Sequence, residues 1–455
     1  MENKKTSFLH PNLLKGNILK SIIFFALPIL VSMIFQQLYN AVDTVIVGHF
    51  LSEESLAAIG ACSSIFELIV GFGTGFGNGL GLVAARAFGG GNTERLKKAV
   101  AASLILTLAV TVILTVASVF GMRPLLSLLK TPEQIMDESF SYIIVICIFC
   151  GVMFAYNLCS GMLRAIGNSF TPLIFLIFSS LLNIVLDILF ITKFNTGIKG
   201  AAYATVLAQL ISVLLCLIYI VKKAKIIIPS VKEGHFKFEG SLYKDLTGQG
   251  LSMALMSSLV SSGTVILQSA INGLGTSIIA GHIATRKIFG ISNIPIFTLG
   301  MATATFVSQN YGAENFERIK KGIFISCILT TIWAVILIIT SPFIITPLIS
   351  FMSGSSNPEI LDYGKRYLTF AYPFFIILGL LVISRNSLQG LGSKMLPLVS
   401  SLIELFGKII FTAFIIPRLG IWGIILCEPL IWCAMGIYLI FACIRKFKSV
   451  CKVSE

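Results

Sequence analysis

The stretch PILVSMIFQQLYNAVDTVIVG, Pro28 to Gly48, decides how the chain is read. It lies inside an apolar run from Ile22 to Val47, long enough to cross a bilayer as a helix of about 20 residues. Near its far end stands a carboxylate, Asp43. Gln36, Tyr39 and Asn40 precede it at spacings that place all four on one helical face. Inserting a charged carboxylate at the centre of a membrane helix costs about 2.5–3.5 kcal/mol on the lower scale. Such a group must be paired, protonated or wetted, and it is a functional candidate by default.

Composition extends this reading to the whole chain. Of 455 residues, 56% are hydrophobic and 12% charged, with a mean hydropathy of +0.93. Soluble domains carry about 25% charged residues. The apolar runs show no strand alternation, which excludes a β-barrel. The fold class expected is an all-α polytopic membrane protein. Twelve spans are predicted, near 20–48, 58–85, 99–121, 138–160, 170–192, 198–221, 247–273, 278–308, 320–345, 361–384, 395–416 and 421–444. No small-residue cleavage site follows the first run, so that run is expected to remain as a helix. The ten cysteines fall mostly inside apolar runs and read as small hydrophobes, the Cys147–Cys150 pair included.

Charge sets the topology. An even number of spans puts both ends on one side. Arg123, Lys130, Lys193, Lys199, Lys365, Arg366 and Arg418 are the seven basic residues of the opposite loops, against 24 in the two tails and the alternate loops on their side. The positive-inside rule then predicts cytoplasmic termini and a cell-membrane location. The formal net charge of +14 thus reflects topology and an anionic leaflet, and nucleic acid is excluded as a partner.

The two halves echo one another. FGGGNTERLKKA (Phe88–Ala99) recurs as YGAENFERIKKG (Tyr311–Gly322), a shift of 223 residues. MLRAIGNSFTPL from Met162 matches SLQGLGSKMLPL from Ser387, a shift of 225, and GIKG at Gly197 matches GIWG at Gly420. Three echoes at nearly one shift predict two six-helix halves related by a pseudo-two-fold axis along the membrane normal. The divisions expected are an amino-terminal lobe over 1–221, a cytoplasmic linker over 222–246 and a carboxyl-terminal lobe over 247–455.

Further polar residues gather at one predicted depth. Asn183 and Asp187 are four apart in span five, and Thr205 opens span six. With Asp43 they supply two carboxylates, an amide and a hydroxyl, a set suited to Na⁺ or to protons shared by coupled acids. The alternative is polar residues facing a wet cavity without binding an ion. Asn157 in span four is expected to lie deeper. Met33, Gln36, Tyr39 and Asn40 are the expected cavity lining. Pro28, about 22 Å from Asp43 along a straight helix, permits a bend or is a static kink. The glycine run Gly71–Gly81 lacks the ending of a phosphate loop and is read as bare backbone for close packing. Glu67, one turn earlier, lines the cavity or lies near an interface.

The second half does not repeat the acids. By the repeat, Asn183 maps to Lys408, Asp187 to Thr412, Thr205 to Glu428 and Asp43 to Ile266. Lys408 follows Glu404 by four residues. The expectation is a fixed ammonium, paired with Glu404 or Glu428, where the first half holds an exchangeable cation; an unrelated ion pair is the alternative. Arg286 and Lys287 in span eight face the cavity, snorkel or pair.

The chain resembles the multidrug and toxic compound extrusion (MATE) family, in its bacterial and archaeal branch like the DNA-damage-inducible F proteins. The resemblance rests on the span-one pattern with Pro28 and Asp43, the loops after spans two and eight, and RAIGNSFTP (Arg164–Pro172). That branch's ion site corresponds to Asp43, Asn183, Asp187 and Thr205, with Asn157 in its hydrogen-bonded network and Gln36 and Tyr39 at cavity-facing positions. Second-half acids of the branch typified by the NorM proteins have no clear counterparts. The resemblance implies efflux of amphipathic, often cationic small molecules in exchange for inward H⁺ or Na⁺, with no cofactor and a monomer in the lipid bilayer. A flippase for a lipid-linked precursor is the alternative, pointed to by Arg286 and Lys287 alone. An intramembrane enzyme or scaffold finds no paired-His motif and no recognisable nucleophile beside a base, so no enzyme is expected.

Overall fold

The computed structural model describes residues 11–453, and no strand occurs among them. Helix is the form an apolar chain must take in lipid, because it pairs every backbone donor within one segment. Among these residues eleven helical runs, two of them (Pro358–Gly390 and Met395–Leu419) joined from shorter pieces, are long and apolar enough to cross a membrane, and one bent pair counted as a single span makes a twelfth.

The first helices are α1 (Ile18–Phe50), α2 (Glu53–Gly89) and α3 (Thr93–Leu128). The expected fourth span is not one helix. It is α4 (Glu133–Ile148) and α5 (Cys150–Ala165), bent by 45°. At the break, Val152 N–H donates to the Phe149 carbonyl at 2.9 Å, an i→i−3 bond that interrupts the regular ladder. Then come α6 (Phe170–Ile188), α7 (Ile198–Lys223), α8 (Gly240–Ile271), α9 (Thr276–Gly312) and α10 (Phe316–Ser353). The chain ends with α11 (Pro358–Ala371), α12 (Phe375–Gly390), α13 (Met395–Ile410), a short α14 (Ile416–Leu419) and α15 (Ile421–Val453).

The sequence repeat is also a backbone repeat. Asn92 caps α3 by accepting from Arg95 N–H at 2.8 Å, and Asn315 caps α10 by accepting from Arg318 N–H at 3.2 Å. The residue before each cap is left-handed, Gly91 at φ 68° and Glu314 at φ 56°. Each of α6 and α13 runs on into one π-turn, Leu189–Lys193 and Phe411–Ile415.

The contacts fall into two compact units. One holds 27–254 and the other holds 13–26 with 255–455. The early segment joins the later unit through Arg318. Its Nε, Nη1 and Nη2 donate to the carbonyls of Leu13, Gly16 and Lys15 at 3.0, 2.8 and 3.1 Å. Asn310 Nδ2 adds a bond to the Leu13 carbonyl at 3.1 Å.

Within the first unit, the α2 glycines work in pairs four apart. A Cβ at Gly77 would lie 2.9 Å from the Asn157 carbonyl carbon and one at Gly81 2.9 Å from the Gly161 oxygen, both on α5. At Gly75 and Gly79 it would lie 2.5 and 2.6 Å from the carbonyl oxygens of Met253 and Gln249 on α8. One helix thus meets two neighbours at backbone contact.

Candidate ion and substrate site

In the first unit, α1, α6 and α7 carry the expected polar residues. Asn183 and Asp187 stand one turn apart on α6 and both are buried, Asp187 completely. The Asp43 and Asp187 carboxyls come close enough to interact directly. Neither oxygen of Asp187 has a hydrogen-bond partner, nor do Asp43 Oδ1 or either polar atom of Asn183. Buried polar atoms are nearly always satisfied, so this cluster of orphans is unusual. Tyr39 lies beside Thr205, whose hydroxyl donates to the Ala201 carbonyl at 3.0 Å.

A small cleft opens beside these groups. Gln36, Tyr39, Asn40, Asn157, Asn183 and Thr205 line it, with Phe66, Val70, Met153, Tyr156 and Leu176 giving apolar wall. Asn157 Nδ2 donates to the Met153 carbonyl at 3.0 Å, which leaves its amide oxygen for the cleft. Met33 and Glu67 are not in the lining. Asp43 and Asp187 are not in the lining, but Tyr39 and Asn183, one turn before each, are.

Sequence reading missed Tyr142. This buried α4 tyrosine lies within electrostatic reach of Asp43, Tyr39 and Asp187. Its signal was faint: one tyrosine in an apolar run, on a helix whose bend could not be anticipated. Ser179, Ser180 and Gln209 also line the cleft and were passed over.

The second unit is built on opposite lines. Lys408 Nζ donates to Glu404 Oε1 at 3.0 Å and lies 3.9 Å from Glu428 Oε1, so it bridges both acids rather than one. Arg286 Nη1 donates to Glu428 Oε2 at 2.6 Å, and the Tyr367 hydroxyl donates to the same oxygen at 3.1 Å. Arg385 Nη2 lies 3.8 Å from Glu404 Oε2, and its Nε donates to Ser400 Oγ at 3.1 Å. Five charges therefore alternate: Arg286, Glu428, Lys408, Glu404, Arg385. Phe289 covers the Arg286 guanidinium at 4.6 Å. Lys287 is exposed and takes no part.

Among the described residues no three His, Cys, Asp or Glu side chains are placed to hold a metal ion. The first-unit cluster has two carboxyls, an amide and a hydroxyl.

Comparison with known proteins agrees with the duplication. The model of the family described as MatE matches residues 28–189 and again 252–414. The chain belongs to the MatE family. The two MatE matches cover the two halves in turn. Among its relatives is the "Probable multidrug resistance protein YoeA" of Bacillus subtilis (strain 168), 26% identical over 437 residues and 93% of each chain. Another is named "FAD transporter", from Shewanella oneidensis, 23% identical over 91% of each. A solved structure of "MATE in the bent conformation" superposes with a TM-score of 0.90 at 21% identity, over 97% of this chain and 98% of that one. That likeness fixes the fold, a multi-pass, all-helical membrane protein.

Proposed function

We propose that this protein exports amphipathic, often cationic small molecules in exchange for inward H⁺ or Na⁺, by alternating access. The observation that carries the reading is the Asp43–Asp187 pair, in which both Asp187 oxygens and Asp43 Oδ1 are buried without a hydrogen-bond partner, with Tyr39 and Asn183, one turn before each, lining the cleft. Two carboxyls this close titrate as a unit, and a shared proton or monovalent cation resolves their repulsion. Asn183 and Thr205 offer further oxygens, and Asn157 extends the polar wall. An ion entering from outside binds the pair and alters Tyr39 and Asn183, which face the cleft. Substrate held there is weakened by the ion, and linkage requires that substrate weaken the ion equally. Cytoplasmic termini, a cell-membrane location and a monomer complete the proposal.

The names of several relatives support drug efflux, YoeA among them. A flippase reading leans on Arg286 and Lys287, but Arg286 is spent on Glu428 and leaves Lys287 alone to support it. The relative named FAD transporter keeps an anionic small molecule among the substrates to try.

The test is transport in proteoliposomes with pH and Na⁺ gradients imposed separately, on the natural chain and Asp43→Asn. The proposal expects one gradient to drive substrate movement and the variant to lose that dependence. Unchanged coupling in Asp43→Asn would sink it.

A further inference from the structure

The connection between α7 and α8, residues 224–239, has two chemically distinct faces. One is bolted to the start of α3. His235 is buried, and its Nδ1 accepts from Ser230 N–H at 2.8 Å. The ring proton therefore sits on Nε2, which donates to Glu94 Oε2 at 2.8 Å. Glu233 pairs with Lys97 at 3.1 Å, and Glu239 lies 3.9 Å from Lys98. Ala224 and Ile227 are buried in the first unit's core beside these bonds. The segment's acids, though exposed, are thus paired with Lys97 and Lys98, and its histidine is buried against Glu94.

The other face holds what remains. Lys222, Lys223, Lys225, Lys232 and Lys237 are all exposed, and among the described residues none makes an ion pair. Between them stand Ile226, Val231, Phe236 and Phe238, with Val231 and Phe238 each 77% exposed. Exposed apolar side chains on the spans are explained by lipid tails. These four lie past the end of α7, where the apolar run has given way to Lys222 and Lys223. Lysines alternating with large apolar groups at that level match a headgroup layer, with ammonium groups meeting phosphates and the apolar groups entering the acyl boundary.

We infer that residues 222–238 form a lipid-binding face for anionic phospholipid, held in a set orientation by the His235–Glu94 bolt. The bolt matters because a free loop of this composition would lose entropy on binding, whereas this one presents its lysines already ordered.

The experiment is hydrogen exchange on the full chain in nanodiscs of phosphatidylcholine alone and of phosphatidylcholine with phosphatidylglycerol. Amides of 222–238 should exchange about tenfold more slowly with the anionic lipid, and high salt should remove the difference. Replacing all five lysines by Gln should abolish the difference, while thermal unfolding in detergent stays unchanged. Equal exchange in both lipids overturns the inference, as does a difference that survives the lysine replacement. Should the five-fold variant unfold, the salt series on the natural chain decides alone: a difference insensitive to salt overturns the proposal. Protection lost with Phe238→Ser but equal in both lipids points to the acyl boundary only, and also overturns it.

Discussion

Helices α6 and α13 are copies of one element carrying opposite solutions to buried charge. In α6, Asn183 and Asp187 keep every polar side-chain atom buried and without a partner. In α13, Glu404 and Lys408 stand the same four residues apart and satisfy one another at 3.0 Å. Lys408 occupies the repeat position of Asn183, Glu404 that of Ser179 and Glu428 that of Thr205. One copy holds acids that no protein cation pairs, among the described residues, and on the proposed function these take up the coupling ion. The other brings three cations of its own. A cation that is part of the chain cannot be exchanged, and an acid paired with one is costly to unpair. The difference suggests that the first unit responds to ions while the second is held in one arrangement.

The comparison can be broken most readily in the second unit. Lys408→Met removes the ammonium that Glu404 and Glu428 share, leaving each with one arginine, and should cost about 3 kcal/mol of stability, the low end for a broken buried pair. Adding Glu404→Gln should recover part of that loss, measured by thermal unfolding in detergent. If Lys408→Met kept transport but destroyed its ion dependence, the second unit would not be the passive partner.

The mirror experiment on the first unit predicts the reverse. Asp187→Asn removes a carboxyl that no protein group satisfies, so stability should hold or rise by about 1 kcal/mol. Ion-coupled transport should meanwhile fall at least about tenfold, as for loss of a buried charged ligand. A large loss of stability with transport intact would reverse the roles assigned to the two units.

A smaller effect sharpens the backbone side of the repeat. Gly91 and Glu314 both sit at positive φ before an Asn cap. Only the second has a side chain to strain it, at roughly 1–2 kcal/mol for an L-residue. Glu314→Gly should raise the melting temperature slightly, and Gly91→Ala should lower it. No change in either would mean that the neighbouring cap bonds, not φ, decide these turns.

Much of this was legible from residue order. Lipid leaves an apolar run of 20 residues little choice but helix, so the spans could be read almost without reference to neighbours. A duplicated gene product carries its echo openly, down to the Asn caps of α3 and α10. The pairing of Asn183 with Asp187 follows from helical pitch alone. Other features depended on meetings between distant segments. Tyr142 comes within electrostatic reach of Asp43 from a different helix, 99 residues on in the chain. Lys408 could have chosen either Glu404 or Glu428, and helix packing gave it both. Arg286 and Lys287 are neighbours in sequence, yet one turns in to Glu428 across 142 residues and the other turns out. Residues 13–26 join the later unit because Arg318 gathers their carbonyls. Periodicity reports which face of a helix is apolar. Which helix meets that face, and which charge finds which partner, is settled only when the helices pack.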